Sequence, residues 1–457
     1  MVRKLERMGY EVIVMYECRW KKIAKKENVP PLREELLHLE PLNPRHGYYG
    51  GRVEALAMMY EAEEDENIYY DDVTSMFPSV MENEEFPIGP VTILKRGDGF
   101  IAMENLMGMA KVKVKAPDDI HLPVLPYRSP QGKIMFAKGT FIGTWTSVEL
   151  QLAMSQGYEI LEIYEQHHFP RATRELFKPY VNTFFDLKKK AEEEGNTGLK
   201  QVAKICLNSF YGKLAQNSWN QREVRLIENY ADMAQHLFGK FEEVSVTLLS
   251  ENKGYATITK PQTIMERSDS NVYLAAFITA YSRVKLYKEG FLSTGRNLLY
   301  CDTDSVVYRT KNKERLIPID GTGALGGWES ELPDEDDYFV SFVSSGPKSY
   351  SLISKSRKTN ITKSKGFTLH FENRKIFNHA SLQEQVIAKA TQNEDVEKLV
   401  MHTGEHQMVR NFFNIEMKTH KGKKCNLVFD KRNIDEPEYF EDGRVKSITT
   451  SPVTLTI

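Results

Sequence analysis

The segment that most constrains this chain is Leu298-Leu-Tyr-Cys-Asp-Thr-Asp-Ser-Val-Val-Tyr308. Apolar triplets flank a polar quartet, which is the pattern of a β-hairpin with buried arms and a polar tip. The tip carries Asp302 and Asp304, two positions apart. Residues two apart on an extended strand point to the same side, so two carboxylates are expected together above an apolar sheet. Packing them there is unfavourable unless something cationic neutralises them. The bland alternative is a solvated turn with Asp as turn former.

A second segment, Ile68-Tyr-Tyr-Asp-Asp-Val-Thr-Ser-Met-Phe-Pro78, is an aromatic strand that delivers Asp71 and Asp72 to a Thr-Ser turn closed by Pro78. Alone it reads equally as a capped strand end. Joined with the hairpin, it supplies a third carboxylate from a distant part of the chain. Three converging carboxylates would hold two Mg²⁺ ions roughly 3.5–4 Å apart, the clamp used for in-line phosphoryl displacement.

The third segment is Leu199-Lys-Gln-Val-Ala-Lys-Ile-Cys-Leu-Asn-Ser-Phe-Tyr-Gly-Lys213. Ala203, Leu207, Phe210 and Leu214 recur at helical spacing and form an apolar stripe. Lys200, Lys204, Asn208 and Tyr211 form another, offering two cations for a triphosphate, then an amide and a phenol. A solvated amphipathic face would account for the lysines, but not for the Asn-Ser-Phe-Tyr-Gly run.

Length and charge bound the rest. The 457 residues suit roughly two to four domain-sized units. The net charge of −2 argues against a generic basic nucleic-acid coat, although nucleic-acid binding needs only a basic channel. One local strip is basic: from Tyr338 to Phe371 there is no acidic residue, while Lys348, Lys355, Arg357, Lys358, Lys363 and Lys365 lie within it, a pattern suited to phosphate contact. Cys18, Cys206, Cys301 and Cys425 are scattered, which suits a reducing compartment and gives no zinc site. No apolar run reaches the 18 or so residues of a membrane span. Met1 to Arg7 lead into no apolar core, so no signal peptide is expected. An intracellular place follows, with the compartment open. A strand is expected at Tyr10–Tyr16, a Pro-rich linker at 28–47, a helix near Ser147–Gln156, two helices in 171–216 parted by Gly195–Gly198, and one over 272–290.

The three segments, in this order, resemble motifs A, B and C of family B DNA polymerases. Motif A is Asp72-Val-Thr-Ser-Met-Phe-Pro78, motif B is Lys204-Ile-Cys-Leu-Asn-Ser-Phe-Tyr-Gly212, and motif C is Tyr300-Cys-Asp-Thr-Asp-Ser305. His46-Gly-Tyr-Tyr-Gly-Gly-Arg-Val-Glu54 is similar to the Tyr-x-Gly-Gly element of that family, and Gly346-Pro-Lys-Ser-Tyr350 to its Lys-x-Tyr motif. Gly143-Thr-Trp-Thr-Ser-Val-Glu-Leu150 with Ile163-Tyr-Glu165 resembles the protein-primed branch found in adenoviruses, linear plasmids and Maverick/Polinton elements.

The resemblance implies an α+β, right-hand fold: an antiparallel β-sheet palm, helical fingers and a small thumb, with insertions between motifs A and B and between B and C. Its segments would be an N-terminal remnant or linker at 1–45, palm at 46–83, a first insertion at 84–165, fingers at 166–217, a second insertion at 218–270, palm at 271–372, and thumb with tail at 373–457. It makes Asp72, Asp302 and Asp304 catalytic and, with the Val73 carbonyl, ligands of two Mg²⁺ ions, with Mn²⁺ as a substitute. Ser75, Met76, Phe77, Lys200, Lys204, Asn208 and Tyr211 would bind the nucleotide, Phe77 standing where the family usually has Tyr. Tyr48, Gly50, Gly51, Ser305, Lys348 and Tyr350 would contact DNA. The implied partners are primer-template DNA, deoxynucleoside triphosphates and a terminal protein primer, with no membrane and a monomeric chain. No Asp-x-Glu exonuclease site precedes the polymerase motifs, so no proofreading is expected. The main reading is an active DNA-directed DNA polymerase; the competing one is an impaired remnant that only binds primer-template DNA. A two-metal nuclease leaves the lysine helix and Phe77 without a role.

Overall fold

The strand-forming stretches of this chain are rich in aromatic and β-branched residues, and they assemble into one large antiparallel sheet. The computed structural model describes residues 40–216, then 222–234 except 230 and 233, 243–248 and 254–259. It also describes 270–456, interrupted at 313, 333, 335–336, 368, 370, 393–399, 403–406, 411–414, 419–421 and 425–430. The strand expected at Tyr10–Tyr16, and most of the expected N-terminal segment, lie outside the described residues, as does much of 218–270.

In chain order the strands used below are β1 (Val53–Ala55), β2 (Ala57–Glu61), β3 (Glu66–Val73), β4 (Thr92–Lys95), β5 (Gly108–Lys115), β6 (Lys138–Thr146) and β7 (Glu159–His168). There follow β8 (Leu298–Asp302), β9 (Ser305–Lys311), β10 (Trp328–Ser330), β11 (Phe339–Gly346), β12 (Ser349–Ser354), β13 (Ile361–Lys363), β14 (Arg432–Ile434), β15 (Val445–Pro452) and β16 (Thr454–Thr456). The large sheet has 12 strands and runs β1-β8-β9-β3-β11-β2-β15-β14, with β10 added beside β3, β12 beside β11, β13 beside β12, and the short strand Glu438–Tyr439 beside β15. Between β3 and the helices that follow, β16-β6-β5-β7-β4 form a separate five-stranded sheet, within the expected first insertion apart from β16. The architecture is α+β, as expected.

The helices are α1 (Met76–Asn83), α2 (Ser147–Ser155), α3 (Lys178–Glu193), α4 (Thr197–Leu214), α5 (Val272–Lys285) and α6 (His379–Ala390). Asn side chains start three of them: Asn196 accepts from the Leu199 N–H, Asn271 from the Leu274 N–H, and Asn378 forms a reciprocal cap with Ser381, each satisfying a backbone donor left free at a helix start. On α4, Ala203, Leu207 and Leu214 are buried as the stripe requires, while Lys204 and Asn208 are exposed. Every residue from Ala275 to Val284 of α5 is buried, so this helix is the core against which α1, α2 and α4 pack.

Residues 373–457 were expected as thumb and tail, yet β15 pairs with β2 (Ala57↔Thr449, Tyr60↔Ser447) inside the large sheet. The Ser/Thr-rich sequence of this stretch looks like a tail, but β-branched Thr favours strands. Here the Thr450 hydroxyl bonds the Leu56 carbonyl at 3.0 Å and Ile448 is fully buried.

At the start of α6, the His379 Nε2–H donates to Ser341 Oγ (2.6 Å), which in turn donates to Glu61 Oε1 (2.5 Å). His379 Nδ1 is buried without a partner, and burial pushes the imidazole down from 6.5 to about 4. The unfolded chain takes up this proton below its ordinary 6.5 while the folded chain does not until about 4, so this contribution is complete above 6.5 and is lost as pH falls through that window. The shift corresponds to about 2 kcal/mol after allowance for the residue's partial exposure. In urea melts from pH 7 to 4, His379→Gln should show a shallower loss of stability than the parent chain. Parallel curves would remove His379 from this role.

Candidate active site

Register brings the motif residues together. Across four neighbouring strands Asp72 lies opposite Ser305, Ser305 opposite Asp302, and Asp302 opposite Val53. Residues in such a row share one face of the sheet. The same face carries Tyr70, Tyr300 and Tyr350, buried side by side with the Tyr70 and Tyr350 hydroxyls 2.8 Å apart. This apolar tyrosine floor holds the acids at the edge of the sheet. Asp71, one residue along, points the other way. It is fully buried and bonded to the Tyr308 hydroxyl (2.7 Å) and the Arg315 guanidinium (2.8 Å), so it anchors the strand instead of joining the site.

The hairpin tip departs from the simple strand picture. Thr303 has φ +65°, and the Asp304 N–H donates back to the Asp302 carbonyl at 2.7 Å. Asp304 therefore sits in the turn, and its carbonyl accepts the Val73 N–H at 2.8 Å. The Thr303 N–H donates to the Arg52 carbonyl at 2.7 Å. Arg52 itself is buried against Glu54, the Pro123 carbonyl and the Phe136 ring, so the Gly50–Arg52 loop is a fixed rail for the turn. Arg283 reinforces that rail by donating to the carbonyls of Tyr49 and Gly50 and to Glu149, each at 2.8 Å.

Asp72 and Asp304 are brought together. Burial, followed by the charges of Asp304, Glu331 and Glu329, pushes the Asp72 carboxyl up to about 8. Burial and then the charge of Asp302 raise Asp304 to about 6. Lys363 lies over the Tyr70 and Tyr350 rings, 5.7 Å from each, and its charge pulls both acids back. The third carboxylate is engaged elsewhere. Asp302 Oδ1 accepts from Lys348 Nζ at 2.5 Å and from Thr303 Oγ1 at 3.2 Å. Among the described residues no three His, Cys, Asp or Glu side chains form a ready metal cage. Asp72 and Asp304 thus act on one another and Asp302 acts on Asp304, while Asp302 is also ion-paired with Lys348. A pair of half-buried carboxylates, neither ion-paired among the described residues, still fits Mg²⁺: this ion is commonly held by one or two carboxylates, with substrate phosphates and water completing the shell.

Other expected contacts fall as follows. Phe77 stacks on Tyr211 at 4.2 Å, and burial and then the Asp304 charge raise the Tyr211 phenol, so α4 reaches the acid pair. Tyr48 neighbours Tyr211. Lys204 is exposed, and Lys200 is paired with Glu192 at 2.5 Å. Ser75, at φ +53°, precedes α1. Three expected contact side chains are engaged in packing: Met76 is 1% exposed, Ser305 donates to the Asp302 carbonyl, and Tyr350, 1% exposed, shares a hydroxyl–hydroxyl hydrogen bond with Tyr70. The side chains of Met76, Ser305 and Tyr350 are all buried. The basic strip also divides, because Lys355 and Arg357 line a different cleft, with Glu61 and His379. Sequence reasoning missed Glu329 and Glu331, which reach Asp72 because β10 pairs with β3 (Glu329↔Asp72); no local pattern marks them.

Paired acids on an antiparallel sheet, beside a lysine-bearing helix, define a right-hand polymerase architecture. The fold is shared with phi29 DNA polymerase complexed with primer-template DNA, at a TM-score of 0.55 and 18% identity over 89% of this chain and 66% of that one. The sequence profile described as DNA polymerase type B, organellar and viral, matches residues 20–290, and the chain belongs to that family. It is similar to a probable DNA polymerase of Podospora anserina, 27% identical over 67% of this chain and 26% of the relative. It is also similar to a DNA-directed DNA polymerase of Enterobacteria phage PRD1, 26% identical over 73% of this chain and 56% of the relative. The chain thus spans about a quarter to a little over half the length of these relatives. No helix among the described residues is long and apolar enough to cross a membrane.

Proposed function

We propose that the chain is the polymerase part of a template-directed DNA polymerase, which adds deoxynucleoside triphosphates to a primer 3′ hydroxyl. The observation that carries this reading is the meeting of Asp72 and Asp304 beside Phe77 and Tyr211, on a helix whose same face exposes Lys204. Asp72 and Asp304, with the Val73 carbonyl, are the residues that would hold divalent ions. When bound, two Mg²⁺ ions, or Mn²⁺ in their place, lower the pKa of the attacking hydroxyl and neutralise charge on the departing pyrophosphate.

The chain's own groups do the rest. Lys204 and Lys200 bind the triphosphate, Lys200 after leaving Glu192. Ser75, Met76 and Phe77 offer the unpaired N–H groups at the start of α1, where anions are favoured. The Phe77 ring crowds a 2′ hydroxyl and so selects deoxyribose, while Asn208 and Tyr211 shape the base-pair pocket. Tyr48, Gly50, Gly51 and Lys348 meet the DNA strands. Protein priming belongs to the same proposal, with the sheet inserted at 84–165 as the surface that contacts a primer protein or downstream DNA.

Extension of a labelled primer-template with Mg²⁺ and the four nucleotides tests the reading; duplex binding without extension would return the chain to the impaired remnant. Within an active enzyme, Lys204→Ala should raise the nucleotide KM about tenfold or more, the loss of a charged hydrogen bond worth about 1.5–3 kcal/mol, and leave primer-template Kd unchanged. An effect confined to DNA affinity would contradict the role.

A further inference from the structure

We propose that Lys348 is a built-in counter-ion that positions Asp302, holding this third carboxylate back from a metal ion shared by Asp72 and Asp304. The inference rests on the reading that Asp72 and Asp304 hold divalent ions.

The geometry is specific. The Lys348 backbone is held at φ +64°, an unfavourable place for a residue with a Cβ. Its N–H donates to the Tyr300 hydroxyl at 2.8 Å, which fixes the residue at the tip of the β11–β12 hairpin. Tyr300 in turn lies 3.5 Å from the other oxygen of Asp302. Asp302 therefore receives the Lys348 ammonium, the Thr303 hydroxyl and the Tyr300 hydroxyl, a donor set that competes with a metal ion for its oxygens. The two ends of the pair differ in access: the Lys348 side chain is 52% exposed and that of Asp302 17%. A competing anion can reach the ammonium, whereas the carboxylate is enclosed.

The counter-ion also limits charge. Three carboxylates at one sheet edge would carry three negative charges, and Lys348 and Lys363 together offset two of them. Removing Lys348 both frees Asp302 to turn towards its neighbours and leaves its charge in need of a cation. The site should then take up a divalent ion more readily, using all three carboxylates.

The test is Mn²⁺ uptake by the full chain without DNA or nucleotide, followed by electron paramagnetic resonance of the free ion. Lys348→Met should bind Mn²⁺ about tenfold more tightly than the parent chain, and Lys348→Arg should behave like the parent. In an Asp302→Asn background, Lys348→Met should give no gain. An equal gain in that background would mean that Lys348 merely contributes positive charge, and the proposal would be overturned. It is likewise overturned if Lys348→Met leaves the affinity unchanged while Asp304→Asn abolishes uptake, a result that leaves the metal site standing. If neither the parent nor Lys348→Met takes up Mn²⁺, the metal reading itself falls, and the counter-ion role with it.

Discussion

Asp304→Asn is expected to abolish primer extension while the chain stays folded. The position of Asp304 depends on backbone bonds: its N–H donates to the Asp302 carbonyl and its carbonyl accepts the Val73 N–H. Asparagine is isosteric and keeps both. It also removes one of two like charges that burial forces together, so the melting temperature should hold or rise. What disappears is one anionic ligand from a set of two. Because the reaction depends on stabilising charge at the site, a loss of at least about 10³-fold in the single-turnover rate is expected. A variant that melts early and loses activity in proportion would show that Asp304 serves the fold and not the chemistry.

Gly51→Ala is expected to cost about 10²-fold in the same assay without removing any functional group, because displacing reacting groups by about 1 Å has effects of that size. A Cβ at position 51 would lie 2.5 Å from Thr303 Cγ2 and 2.9 Å from its hydroxyl. The loop cannot retreat, because Arg52 is buried and bonded to Glu54 and the Pro123 carbonyl. The turn must therefore move, and Asp304 with it. Thr303→Gly supplies the rescue: glycine accepts the +65° φ of that position and removes the atoms that collide. The double variant should recover most of the lost rate. Full activity in Gly51→Ala, or a double variant no better than the single one, would show that the contact does not set the turn.

What was legible in the sequence was what periodicity and motif spacing encode. The hairpin arms, β3 and the two faces of α4 each follow from alternation or helical spacing within one element. The residues that closed the picture act across elements. Lys348 is 46 positions from Asp302, and nothing near either residue shows that they pair. Tyr350 and Ser305 sit in motifs that suggest DNA contact, but their fate was decided by packing against Tyr70, a residue of another strand. The turn at Thr303 was misjudged because alternation describes strands, and here it was extended one residue past the strand's end. Glu329 and Glu331 acquire a place beside Asp72 only through pairing with β3. Strand β15 was hidden by composition, since its threonines read as solvent-loving until a neighbouring strand is known.

The pairing of β15 with β2 has a consequence for biogenesis. The Thr450 hydroxyl meets the Leu56 carbonyl across 394 positions of sequence, and β2 gains one of its two neighbours only from β15. On a ribosome, β2 emerges well before β15 and waits with an open edge until β15 has been made. Such an edge is a template for mispairing with other chains, and contacts this distant in sequence form slowly. Yield of native protein should therefore depend on what shields β2 during synthesis as much as on the stability of the finished sheet.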